Sequence, residues 1–214
     1  MAERSTVYGE ARRGALTRVA DPIASRARAR RHAIYREALA PQPGETIVDI
    51  GCGPAGTGLA ALEPDAPITG VDSVNRPGYA AGPRRFVEAD ARALPFEDGA
   101  FDVAYSNSVI EHLDPADRRR FADEVRRVAG RYLVQTPNRW FPVEPHVLLP
   151  GFQFLPLAAR RRLWPLGVSK DEFTDIRLLD EAELRSLFPE ARIFRERFAG
   201  LTKSLVAVGA RPEQ

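Results

Sequence analysis

IVDIGCGPAGTG, residues 47–58, is an apolar run that breaks into a glycine-rich turn. Gly51, Gly53 and Gly56 spell G-x-G-x-x-G between a β-prone and a helix-prone stretch, so the backbone can turn tightly and approach a ligand closely. Asp72 closes the next apolar run 21 residues after Gly51, where a carboxylate can accept hydrogen bonds from a ribose diol. Together these predict a site for a nucleoside-containing ligand. Asp49, two residues before the first glycine, suits a cationic head group, whereas a pyrophosphate gains nothing from an anion there. That argues against a dinucleotide.

Outward from this stretch, residues 45–138 alternate short apolar runs with helical or polar ones, the βα rhythm of a parallel sheet covered on both faces. The strands are expected at Thr46–Ile50, Ile68–Val71, Arg85–Val87, Phe101–Tyr105 and Tyr132–Gln135. Between the last two, Asp114 and Pro115 start a helix with a Phe121, Val125, Val128 stripe, and Gly130 is expected to stop it. Residues 1–44 are Arg- and Ala-rich and read as a helical cap, with Asp21 as N-cap, Pro22 at the first helical position and Ile23, Ala27, Ile34 and Ala38 on one face. Residues 139–170 hold five prolines and five aromatics, which neither one strand nor one helix absorbs, and read as an inserted lid. In 171–214, Asp180 and Glu183 cap a helix that Pro189 ends, and Ala191–Phe198 and Lys203–Val208, joined at Gly200, form an antiparallel hairpin.

At 214 residues, the chain is expected to be a single domain with those four parts. A formal charge of +2 is too small for a protein whose main work is neutralising nucleic-acid phosphates. Cys52 is the lone cysteine, which leaves His and carboxylates as metal ligands and fits a reducing compartment. With no secretory signal and no apolar run of spanning length, a cytoplasmic location is expected.

A second block, FVEADARALPFEDGAFDVAYSNSVIEHL (residues 86–113), completes the pattern. The words VDIGCGPAG, GVD, ADA, LPFEDGAFDV and SNSVIEHL stand in an order and spacing that resemble the class I S-adenosylmethionine-dependent methyltransferases, in particular their type 11 small-molecule group. The resemblance implies a Rossmann-like α/β fold, mostly parallel with an antiparallel last strand, and S-adenosylmethionine as cofactor. It implies that Asp49, Gly51 and Gly53 shape the methionine end of the pocket and that Asp72, with Ser73 alongside, holds the ribose. Asp90 and the Ala91 amide would read the adenine, and Asn107 would face the methionyl amino group and the reaction chamber. Asp102 reads as structural, holding a strand entrance.

The sulfonium is already an activated donor, so the protein must chiefly line up the acceptor, with any base secondary. Base candidates are Glu111, His112, Glu144 and His146, with His146 favoured because the lid can bring it over the transferred methyl. Relatives that hold a divalent metal here carry E-x-x-E-H; Ser108 replaces the first carboxylate, so no metal is expected, although Glu111, His112 and His146 would make a three-ligand set. His32 reads as a packing or surface residue. Trp140, Phe141, Phe152, Phe154 and Trp164 form either an apolar lid over the site or a satellite core. As a lid they favour O-methylation of an apolar or aromatic small molecule, with Arg160–Arg162 available to an acidic group or a membrane surface. A silent cofactor-binding regulator, an RNA or protein methyltransferase and a nicotinamide-dependent oxidoreductase are the competing classes. The acceptor and the oligomeric state are not legible.

Overall fold

A computed structural model describes residues 15–54, 57–167 and 173–210, with 15–24 as backbone only. The expected alternation is present: β1 (Ile47–Ile50), α2 (Gly58–Leu62), β2 (Ile68–Asp72), β3 (Arg85–Glu88), β4 (Phe101–Asn107), α3 (Arg118–Val128) and β5 (Ala129–Pro137). After an inserted segment with a short helix α4 (Leu157–Leu163) come α5 (Glu181–Leu187), β6 (Arg192–Phe198) and β7 (Leu201–Ala210). The seven strands form one sheet in the order β3-β2-β1-β4-β5-β7-β6. β1 to β5 pair in parallel, while β7 is antiparallel to β5 and β6. This is a Rossmann-like class I methyltransferase sheet, with the strand order reversing beside β1, the place where open α/β sheets bind ligands.

Alternation along the strands sends side chains to two cores. Val48, Ile50, Ala104, Tyr132 and Val134 meet the Phe121, Val125, Val128 stripe of α3 and Leu184 and Leu187 of α5. Ile47, Val103, Tyr105, Leu133 and Val206 pack on the other face against Tyr35 and Leu39. Each such buried side chain contributes about 1.5–3 kcal/mol. Asp102 accepts from both the amide and the hydroxyl of Thr46 at 2.8 Å, tying the entrances of β4 and β1, as expected of a structural residue. Asp114 caps its helical entry by accepting from the Ala116 amide, and Asp180 does so from the Glu183 amide.

Three local expectations are corrected. Helix α1 runs Ala15–Ile34, so Asp21 and Pro22 lie inside it, carried by flanking residues of high helix propensity. Ile34 does pack against the core, but past the end of the helix the seam is Tyr35 and Leu39, preceded by a buried Arg31, while Ala38 is exposed, because a π-helical turn at Tyr35–Leu39 rotates the face; the side chain of Ile23 lies outside the described residues. Gly130 does not stop α3: the chain turns at Ala129, and Gly130 is already a residue of β5.

The aromatics of the insertion divide. Phe152 and Trp164 are buried with Val147, Ile176 and Leu178 in a small separate core, whereas Trp140 and Phe154 are exposed and stacked on each other. Phe141 packs edge-on against Phe198. The Arg160–Arg162 run is not one solvent face either, since Arg160 turns inward to Asp175 at 2.7 Å.

Candidate active site

At the end of β1 the chain reverses through Gly51 (φ +74°), whose amide and that of Cys52 both donate to the Val71 carbonyl. A Cβ on Gly51 would stand 2.1 Å from a Val109 methyl, so only glycine fits. The Gly53 amide donates to Asp72 Oδ2 at 3.2 Å, and the same oxygen accepts from Arg76 Nε at 2.8 Å. Asp72 is therefore placed at the strand end as expected, with one of its oxygens taken by Arg76. Asp49 is buried beneath the turn, and its Oδ2 has no hydrogen-bond partner. Burial pushes its carboxyl up to about 7, against the Leu59 amide and the Tyr79 phenol. Tyr79, unnoticed in the sequence, packs over Gly70, where a Cβ would lie 2.2 Å from its ring.

Asp90 is exposed and accepts from the amide and the guanidinium of Arg92, which keeps its carboxyl below the usual range. Ala91 is half-buried beside it and Ser73 is exposed. Gly56 lies outside the described residues. The fold thus brings Asp49, Gly51, Gly53 and Asp72 together, with an orphaned buried carboxylate oxygen and a turn closed to side chains. That donor set fits a cationic nucleoside ligand, and Asp90 stands at the end of the neighbouring strand.

Beyond β4 the geometry differs. Asn107 Oδ1 accepts from the guanidinium of Arg31 on α1, whose other arm pairs with the buried Glu196 at 2.9 Å. Ser204 Oγ completes that group by donating to Glu196. Asn107, Gln135, Arg31, Lys203 and Phe141 line a cleft of about 130 Å³ between α1 and the strand ends. The structure adds Arg31, Gln135 and Lys203 to the expected residues. The Arg31, Tyr35, Leu39 spacing is the one sequence signal for the first.

Glu111, His112 and His146 do meet. One ligand atom from each lies within 4.8 Å of the others, and the two imidazoles are 5.1 Å apart, edge to face. Glu111 is fully buried; its Oε2 accepts from Thr136 Oγ1 and its Oε1 has no partner, and burial raises its pKa. Glu144 is a cradle: one oxygen sits 2.6 Å from His146 Nδ1, and the other accepts from the amides of His146 and Val147. Burial works against the His146 cation, but the Glu144 bond and the charges of Glu144 and Glu111 prevail and raise its pKa. His112 keeps an exposed edge; crowding of the rest of its ring, then His146, lowers its pKa. His32 is a packing residue, bonded to Glu63 and stacked on Tyr35.

The family described as methyltransferase domain matches residues 48–131. An O-methyltransferase of Aspergillus nomiae is 34% identical over 169 residues, 66% of this chain and 72% of that protein. Among solved structures, a protein from Pyrococcus horikoshii aligns with a TM-score of 0.63 at 19% identity, covering 89% of this chain and 91% of that one. The N-methyltransferase NodS of Bradyrhizobium japonicum, solved with S-adenosylhomocysteine, aligns at 0.57 and 18% identity over 87% of each chain. The chain belongs to the class I S-adenosylmethionine-dependent methyltransferases, of the type 11 kind. Its cofactor is accordingly S-adenosylmethionine. The matches to the first curated relatives span only 30–37% of those proteins' length. Among the described residues, no helix is long and apolar enough to cross a membrane.

Proposed function

We propose that this chain transfers a methyl group from S-adenosylmethionine to a small, apolar or aromatic acceptor, with oxygen the favoured atom, and that the whole described chain works as one catalytic unit. The observation that carries the reading is the arrangement around the end of β4, with the Asp49–Asp72 glycine turn on one side and the Asn107 cleft on the other. In this reading Asp49, Gly51 and Gly53 shape the methionine end and Asp72 with Ser73 holds the ribose once Arg76 swings aside. Asp90 with the Ala91 amide takes the adenine, and Asn107 faces the amino group. The cofactor supplies a methyl already activated on sulfonium, so the chain's own task is orientation and, for a hydroxyl acceptor, removal of a proton. His146 is the base: Glu144 fixes its Nδ1, which leaves Nε2 for the acceptor, while Glu111 and His112 form the floor.

Calorimetry tests the cofactor half. S-adenosylmethionine and S-adenosylhomocysteine should bind and NAD should not, and Asp72→Ala should lower affinity roughly tenfold to a hundredfold, about 1.5–3 kcal/mol. Binding without turnover on any labelled extract would favour a silent regulator instead. In the catalytic half, His146→Ala should reduce kcat by ~10²-fold with cofactor affinity intact. Because the His146 pKa is raised, the base form fills only above the ordinary histidine range, so kcat should rise with pH through a value higher than 6.5. A profile with no such rise, or a smaller pH-independent loss, would leave orientation alone. One observation favours a second reading, a divalent metal on Glu111, His112 and His146, since their ligand atoms already converge within 4.8 Å. Loss of turnover in EDTA with recovery in Mg²⁺ would select it.

A further inference from the structure

Apart from the Asn107 cleft lies a second one, of about 280 Å³, lined by Arg118, Arg139, Arg160 and Arg177 from four segments of the chain. Arg118 is almost entirely buried, 2% exposed at its side chain, and pairs with Glu183 while donating to the Arg177 carbonyl. Arg160 and Arg177 share Asp175, and Arg177 reaches Asp114 only at 3.9 Å. Arg139 lies over the Trp140 ring and has no ion pair among the described residues. Arg160 also donates to the Ile176 carbonyl at 3.2 Å, yet the Nε–H groups of Arg118 and Arg160 remain shut from solvent without any partner, as does the acceptor Gln153 Oε1 on the same cleft.

Guanidinium groups are planar, permanently charged and forked, and several of them together match the tetrahedral oxygens of a phosphate. Four of them around a concave pocket, with unspent donors, hold more positive charge than Glu183, Asp175 and a distant Asp114 neutralise. S-adenosylmethionine carries no phosphate, so the cofactor does not account for this group. We infer that the cleft binds the phosphate of a small phosphomonoester, held by Arg139 and Arg177 at the mouth and by Arg118 and Arg160 beneath. The inference stands apart from the proposed methyl transfer, although the Arg177 amide donates to the Glu111 carbonyl at 3.1 Å, which puts the cleft one backbone hydrogen bond from the proposed floor of the reaction site.

The test is calorimetry with inorganic phosphate and with glycerol 3-phosphate, at an ionic strength held constant with chloride, on the full chain. Saturable one-to-one binding is expected. Arg139→Gln and Arg177→Gln, both changes at solvent-reaching side chains, should each weaken it tenfold or more, and Arg192→Gln, on β6, should leave it unchanged. Thermal midpoints and S-adenosylhomocysteine binding are measured on the same samples; the variant that keeps both decides. No saturable heat with either phosphate, or equal affinity in that variant, overturns the inference. So does binding to vesicles containing phosphatidic acid without binding to soluble phosphate, which would assign the arginines to a lipid surface.

Discussion

The carboxyl edge of the sheet is built in two manners. Beyond β1, β2 and β3 the polar groups answer to close neighbours: Asp72 takes Arg76 four residues on, and Asp90 takes Arg92 two residues on. Beyond β4 and β5 they answer across the chain, Arg31 reaching Asn107 over 76 residues and Glu196 over 165. The first half can change partners by moving one side chain that reaches solvent. The second cannot, because each of its bonds also fastens an element of the fold. In the proposed function, ligand affinity would be concentrated where the chain is local, and stability where it is not.

Substitution at Arg31 should break this contrast most visibly. Arg31→Ala leaves Glu196 buried without its cation, a loss of about 3–5 kcal/mol in urea unfolding, and Glu196→Gln in the same background should return part of it. A midpoint unchanged by Arg31→Ala would mean that the far half is no more welded than the near one. Next in size, the insertion separates into its own two kinds of aromatic. Phe152→Ala, in the satellite core, should cost about 3 kcal/mol, while Phe154→Ala, on the surface, should stay within about 0.5 kcal/mol. Equal losses would merge core and surface into one packed lid.

The third effect belongs to the near half and takes the form of a slope. Asp49 has its pKa raised from 3.8 to about 7 in the fold, so the folded chain holds a proton that the unfolded chain has released. Its contribution to stability is greatest below 3.8 and declines as pH rises towards about 7, after which it is level. Asp49→Asn should flatten that part of the stability curve and should also weaken binding of the cationic cofactor. A curve identical to that of the parent protein would place the unfolded and folded carboxyls in equivalent surroundings.

What could be read before the structure follows the same division. The glycine turn, Asp72 and the strand ends are marked along the chain itself by their residue types and by the hydrophobic periods. The Asp49 burial follows from its position in a run that is apolar on both sides. Arg31 was hidden because an arginine in an Arg-rich helix looks like solvent-facing charge, and only its spacing to Tyr35 and Leu39 sets it apart from Arg30 or Arg36. Lys203 and Gln135 become site residues only when β7 is laid against β5. The split of the insertion was equally out of reach, since Phe152 and Phe154 are two residues apart and only the three-dimensional path sends one to the core and the other to water. Glu144 and His146 were legible as residue types, but their mutual hydrogen bond depends on the loop conformation.

β7 lies between β5 and β6, yet a ribosome makes it after both. From the moment Pro137 emerges until Leu201 follows, some 60 residues later, the backbone of β5 offers an unpaired edge along the strand that carries Gln135 and Thr136. At roughly 5–20 residues per second, that interval lasts several seconds. An open edge of this kind pairs readily with other nascent chains. The β6–β7 hairpin therefore covers an edge that stays open while the intervening residues are made, and the yield of native protein from a cell should depend on how quickly translation carries the chain through those residues.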